Sequence, residues 1–289
     1  MTLQLVRALR PKQWVKNTFC LAPLVFARQA LVLEAVIDAM LVLVAFSLLA
    51  SAVYLVNDVV DREGDRVHPV KRHRPIASGK VSPAAALVAA IVLGGAAIAI
   101  GLSQSSVVAL VLGCYLVVNV GYTFVLKRLV LVDLFAIAIG FVLRVIAGAE
   151  AIEVTASNWI LTCTLFISLF MAASKRRSEV EQQGANSGTR QVLSRYSVRY
   201  LDLIITMVGA GAILSYALYT MSPGTVEHLG TPNLIYTLPF VIFAVFRYMY
   251  LVSEKAKGES PFELLVGDAP MMLNIVGYGL AVLLIVYVT

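Results

Sequence analysis

Apolar residues in this chain gather into runs of about twenty, separated by short polar breaks, and that spacing limits the fold more than any other feature. About twenty apolar residues, at about 1.5 Å of helix rise each, span the hydrocarbon core of a bilayer. Of the 289 residues, 60% are apolar and 14% are charged, and the mean hydropathy is +0.85. A water-soluble domain of this length has no interior large enough for that apolar surface, so lipid is the expected solvent. We read nine spans, at about 13–29, 35–57, 83–102, 106–125, 131–149, 157–174, 201–221, 233–253 and 270–288. The first is cut short by Arg28 and Gln29. The expected fold is all-α: one polytopic domain over 1–289, with nine transmembrane helices around a central cavity open to the cytoplasmic side.

The basic residues orient these spans. Of 23 Lys and Arg, 20 lie in the N-terminal stretch (Arg7, Arg10, Lys12 and Lys16) or after the second, fourth, sixth and eighth spans. Arg28 alone falls on the opposite side, and Arg144 and Arg247 lie inside spans. The positive-inside rule then makes the N-terminus and the even-numbered loops cytoplasmic and the C-terminus external, as in a multi-pass plasma-membrane protein. The two long inner loops, about 58–82 and 175–200, hold nearly all the polar residues and are expected to cap the active site. Between them the second carries a Gly/Ser/Asn-rich tip, Gln182 to Thr189. Cys20, Cys114 and Cys163 are far apart, and the three histidines lack metal-type spacing, so neither a disulfide framework nor a zinc site is indicated. No small-residue cleavage site follows a short apolar core near the N-terminus, so no cleaved signal peptide is expected.

The strongest chemical signal is Asn57-Asp58-Val59-Val60-Asp61-Arg62-Glu63-Gly64-Asp65, directly after the second span. On a continuing helix Asn57, Asp61, Asp65 and Asp58 point at about 0°, 40°, 80° and 100°, one narrow sector. Like charges so close repel, and hard oxygen ligands suit Mg²⁺. Because Mg²⁺ keeps waters and bridges to phosphate oxygens, a diphosphate ligand is implied, with metal ligands expected from Asn57, Asp58, Asp61 and Asp65. The following turn, His68 to Gly79, brings Lys71, Arg72 and Arg74 between two prolines. Acids followed by such a basic turn suit a metal together with an anion, although basic residues here also serve topology and lipid headgroups.

Asn57-Asp58-x-x-Asp61-x-x-x-Asp65, with Arg74-Pro75-Ile76-Ala77-Ser78-Gly79, resembles the first signature of the UbiA-type intramembrane prenyltransferase superfamily. Four further segments narrow the resemblance. They are Arg10 to Asn17, Tyr122-x-x-x-x-Lys127-Arg128-x-x-x-x-Asp133, Gly140-Phe141-x-x-Arg144-x-x-x-Gly148, and Lys175-Arg176-Arg177-x-Glu179. They are similar to the branch that moves 5-phosphoribose from phosphoribosyl diphosphate (PRPP) to a polyprenyl (decaprenyl) phosphate, a step toward cell-wall arabinan. The wider superfamily is expected to carry a second Asp-rich motif after the sixth span. Here that place holds Lys175, Arg176 and Arg177, with Glu179 as the nearest acid, which favours a second anionic substrate.

The resemblance implies an Mg²⁺-dependent phosphoribosyltransferase with Asp58, Asp61 and Asp65 as its catalytic acids. Substrate contacts are implied for Lys16, Asn57, Lys71, Arg72, Arg74, Tyr122, Lys127, Arg128, Arg144, Lys175, Arg176, Glu179 and Tyr196. Read from the residues alone, several of these keep two roles. Lys127 and Arg128 either clamp a phosphate or merely flank a span. Asp133 opens a helix, where the dipole favours it, or serves the site. Arg144 shares that helix face about 16 Å deeper, and either faces a polar cavity or forms a structural ion pair. Tyr196 approaches substrate or anchors the interface. Arg247 is read as structural, and Asp268, before Pro270, as a helix N-cap. The expected partners are phosphoribosyl diphosphate, a polyprenyl phosphate and membrane lipids, with no nucleic acid; a homo-oligomer stays open. Two other functions fit less well: intramembrane prenyl transfer to an aromatic acceptor, and transport of an anionic lipid, against which the acids lie at one surface and not at the midplane.

Overall fold

A computed structural model of the chain describes residues 2–68, 71–183, 195–255 and 267–288, and every regular element among them is helical. Lipid offers backbone groups no hydrogen-bond partner, so a spanning segment must satisfy its own, as a helix does. Among the described residues eight helices are long and apolar enough to cross a membrane, and each coincides with a span expected from the sequence, from the second through the ninth. The stretch expected first, 13–29, is not among them. Pro11–Leu21 instead forms a 3₁₀ helix, continued by the short α-helix Ala22–Phe26. Contacts between the chain's elements divide it into two compact units.

The first unit holds the chain up to Leu24, Gln29–Leu126 and Leu143–Ala156. Its helices are α1 (Thr2–Ala8), α3 (Leu33–Val60), α4 (Arg62–Val67), α5 (Pro83–Gln104) and α6 (Ser106–Phe124), α2 being Ala22–Phe26. Helix α3 packs chiefly along α5. Ala45 and Ala52 of α3, with Ala86, Ala90 and Ala97 of α5, are buried, and such small side chains let helix backbones approach in a membrane. Phe46, Leu49, Leu112 and Tyr115 fill a neighbouring core. Ser82 caps α5, with Pro83 in its first turn, and Ser105 both ends α5 and caps α6.

The 3₁₀ segment runs antiparallel beside α3. Asn17 donates to Ser47 at 2.9 Å, Trp14 to Ser51 at 3.0 Å, and Arg10 to Asp58 at 2.5 Å. Its far end abuts Gly148, where a Cβ would fall 2.0 Å from the carbonyl oxygen of Cys20, so only glycine permits the approach.

The second unit holds Val25–Arg28, Lys127–Val142 and the chain from Ser157. Helix α7 (Val132–Ala151) therefore gives its first half to this unit and its second to the other. Helices α8 (Asn158–Gln183) and α9 (Val198–Met221) pack together, followed by α10 (Pro223–Leu229), α11 (Leu238–Tyr250) and α12 (Ala269–Tyr287). Phe170, Val245, Tyr248 and Met271 belong to its core. Asp268 caps α12 as expected, accepting from the Met271 amide at 3.1 Å, and Arg247 pairs with it at 2.8 Å, in line with a structural role. After α11 the chain turns into a π-helix over Leu251–Lys255, and the Val252 carbonyl there accepts from Arg177 at 3.2 Å.

Candidate active site

The acidic motif sits where α3 ends. The helix stops at Val60, Asp61 takes a non-helical ψ of 4°, and α4 resumes at Arg62. The register nevertheless carries through, because the Asp61 amide bonds the Asn57 carbonyl at 2.9 Å and the Asp65 amide bonds the Asp61 carbonyl at 2.8 Å. Asp58 and Asp65 thus come to one side, both buried, as the sector argument requires. One nitrogen of Arg74, Nη1, donates to Asp58 at 3.1 Å and to Asp65 at 2.6 Å. Asn57 accepts from the Thr123 hydroxyl at 2.5 Å through its side-chain oxygen.

The turn that delivers Arg74 is explained by its neighbours. Ile76 is buried in a core with Ala8, Leu55 and Ala86, which anchors the turn, and Ala77 is buried too. Gly79 closes it at φ 77°, a left-handed conformation that favours glycine, while Ser78 bonds back to the Arg74 carbonyl. Lys71, Arg72 and His73 form a single 3₁₀ turn. There Arg72 is exposed and Lys71 half-buried. The Lys71 amide donates to Nδ1 of His68, whose imidazole is held below its ordinary pKa by partial burial and by the charge of Lys71.

Arg10 is the residue the sequence reading left out of the site. It donates to Asp58, lies 5.0 Å from the Tyr54 ring, and holds its own backbone at φ 57°, uncommon for a residue with a side chain. The only sequence signal was its place at the head of the Arg10-to-Asn17 segment. Lys16 stands on the same 3₁₀ segment. Deeper in this unit, Arg144 is buried. Its Nε donates to Asn17 at 2.8 Å and its Nη2 to the Tyr115 hydroxyl at 3.0 Å, with the Phe46 and Tyr115 rings beside it. Arg144 therefore braces the N-terminal segment from inside and does not present its charge to an open cavity.

Two carboxylates within reach of one guanidinium nitrogen fit a magnesium ion, which commonly takes one or two protein carboxylates and fills its shell with waters and substrate phosphate. Among the described residues no three His, Cys, Asp or Glu side chains converge as a closed metal cluster.

In the second unit the basic cluster departs from expectation. Arg176 is 2% exposed; it pairs with fully buried Asp133 at 2.8 Å and with Glu179. Arg177 pairs with Asp202 at 2.6 Å and Glu181 at 2.8 Å. Both charges are thus already balanced by the protein's own acids, so the cluster is not the open cationic surface its sequence suggested. Lys175 is 49% exposed, with Glu179 3.9 Å away. Tyr196 is buried, donates to Asp133 at 2.7 Å and accepts from the Leu131 amide at 2.6 Å. Burial, with Asp133 beside it, pushes its phenol well above the ordinary value. It is neither an interfacial anchor nor open to substrate. Lys127 and Arg128 lie on a 3₁₀ turn over Leu126–Arg128, Arg128 exposed, and Tyr122 lies in the last turn of α6. Of the Gln182-to-Thr189 tip, Gln182 and Gln183 end α8, and 184–189 lie outside the described residues.

Residues 18–266 match the UbiA prenyltransferase family. The decaprenyl-phosphate phosphoribosyltransferase of Corynebacterium glutamicum is 36% identical over 98% of this chain and 87% of its own length. The protein of the same name from Mycobacterium tuberculosis is 36% identical over 93% of this chain and 89% of its own. A solved UbiA homolog from Archaeoglobus fulgidus, bound to DMAPP and Mg²⁺, superposes with a TM-score of 0.72 at 16% identity, covering 99% of this chain and all of the other.

Proposed function

This chain belongs to the UbiA prenyltransferase family, and from that membership we propose that it transfers 5-phosphoribose from phosphoribosyl diphosphate to a polyprenyl phosphate, releasing diphosphate. The observation that carries this reading is the 36% identity, over nearly the whole chain, to enzymes of that name. The acid–arginine site at the end of α3 supports it, because that arrangement suits a diphosphate leaving group.

Asp58 and Asp65, with Asp61 at the helix break, would hold Mg²⁺, whose bound charge offsets that of the departing diphosphate. Arg74 and Arg10 bind diphosphate oxygens, and the guanidinium fork makes such contacts directional. Lys71 and Arg72, on the adjoining turn, hold the donor's remaining phosphate. Asn57, fixed by Thr123, keeps the motif in register. As the bond from ribose carbon 1 to diphosphate breaks, a lipid phosphate oxygen forms a bond to that carbon from the opposite face. The lipid phosphate is already anionic near neutral pH, so no side chain has to remove a proton. The protein's work is positioning and charge. Lys175 is exposed and carries a charge suited to a lipid phosphate. The active-site loops would face the cytoplasm from a plasma-membrane protein, and the product would feed arabinan synthesis.

Purified protein given phosphoribosyl diphosphate and a prenyl diphosphate side by side, with polyprenyl phosphate and an aromatic acceptor, tests the reading. Phosphoribosyl lipid should form only with Mg²⁺ and stop with EDTA. Exclusive use of the prenyl diphosphate would transfer the assignment to prenyl transfer.

A further inference from the structure

The position of Arg10 carries an inference beyond the reaction itself. Asp58 is 2% exposed and is bonded by two guanidiniums, from Arg10 and from Arg74. Arg74 is shared with Asp65, whereas the other bond to Asp58 comes from Arg10, across 48 residues of chain. The backbone around Arg10 is pinned. Ser51 donates to the Leu9 carbonyl at 3.1 Å, Trp14 donates to Ser51, and Asn17 is held between Ser47 and Arg144. The Arg10 side chain, by contrast, is 29% exposed and long enough to swing.

A carboxylate oxygen already bonded by a cation is a poor ligand until that cation leaves. We propose that Arg10 is an exchangeable countercharge. It neutralises buried Asp58 while no divalent ion is bound, yields the carboxylate when the ion arrives, and turns to the diphosphate that the ion brings. The N-terminal segment then acts as a positioning device, since its pinned backbone keeps Arg10 within reach of both partners. This rests on the proposed metal-and-diphosphate site. It adds that the chain competes with its own metal, so that metal and diphosphate bind each other's way open.

The test is binding and needs no turnover. Mn²⁺ is titrated into detergent-purified protein and followed by electron paramagnetic resonance, first alone and then with inorganic diphosphate. Arg10→Gln should bind Mn²⁺ alone about tenfold more tightly than wild type, the scale of one charge-assisted hydrogen bond removed. The Mn²⁺-loaded variant should bind diphosphate about tenfold more weakly. Arg10→Lys, which keeps the charge, should fall between, and it serves if the glutamine variant does not fold. Unchanged or weaker Mn²⁺ binding by Arg10→Gln overturns the exchange while leaving the metal site standing. Failure of wild type to bind Mn²⁺ at all, or equal binding by Asp58→Asn, overturns the site and the exchange together.

Discussion

Arg176→Ala separates a residue that holds the fold from one that holds substrate. Its guanidinium is 2% exposed and faces Asp133, which is fully buried. Removing one member of a buried pair costs about 3–5 kcal/mol, mostly because the other charge stays behind without water. Two features temper the cost. The Tyr196 hydroxyl continues to donate to Asp133. Glu179, the other partner, is 30% exposed and recovers solvent once released. We therefore expect about 3 kcal/mol, the lower end of that range. The assay is reversible denaturant or thermal unfolding in detergent without substrates. Asp133→Asn should lose a similar amount. The double variant Asp133→Leu with Arg176→Met should recover part of it, because a buried pair replaced by apolar groups of like volume is often neutral, while the Tyr196 hydroxyl loses its acceptor. Wild-type stability in Arg176→Ala, with weakened affinity for donor or lipid phosphate, would refute the argument and return Arg176 to the binding surface.

The remaining predictions concern the acids, the topology and pH. Asp58→Asn, Asp61→Asn and Asp65→Asn should each lose most activity yet stay folded; near-normal rates for all three over a Mg²⁺ titration would remove the metal role. Single cysteines replacing Leu3, Ser78 and Glu227 should label from one side for the first two and the other side for the third; Leu3 labelling with Glu227 would mean that the N-terminal segment does not cross. Tyr196 ionises near 10 when unfolded and higher when folded, so its contribution is complete below pH 10 and is lost as pH rises through the folded value. Tyr196→Phe should accordingly flatten the fall in stability above pH 10; an unchanged alkaline profile would argue against the buried contact.

The hydropathy pattern carries the eight long helical spans of the described residues because lipid rewards one simple rule, length of apolar helix. It does not foresee the 3₁₀ form of Pro11–Leu21, whose Trp14 and Asn17 find their partners on α3 and in Arg144, distant in sequence. The convergence of Asp58 and Asp65 was legible from helical periodicity, since it needs only the local register. Arg10 was not, because its contact with Asp58 is tertiary. The basic cluster misled for the same reason. A run such as Lys175-Arg176-Arg177 looks like free charge until Asp133, Asp202, Glu179 and Glu181 are placed against it. The depth of Arg144 could be read from its span, but its amide and phenol partners could not.

The 3₁₀ segment and α3 work like the two scales of a vernier. Arg10 to Asn17 advances about 2.0 Å per residue, roughly 14 Å in all. The matching stretch of α3, from Asp58 back to Ser47, advances about 1.5 Å per residue, roughly 16 Å. The scales agree at the marks where Arg10 meets Asp58, Trp14 meets Ser51 and Asn17 meets Ser47. One residue inserted between Arg10 and Asn17 would push Arg10 along by about 2 Å and rotate it by about 120°. With Asn17 clamped by Arg144 and Cys20 seated against Gly148, the slack has nowhere to go but toward Asp58. This stretch should therefore tolerate substitution far better than any change in length.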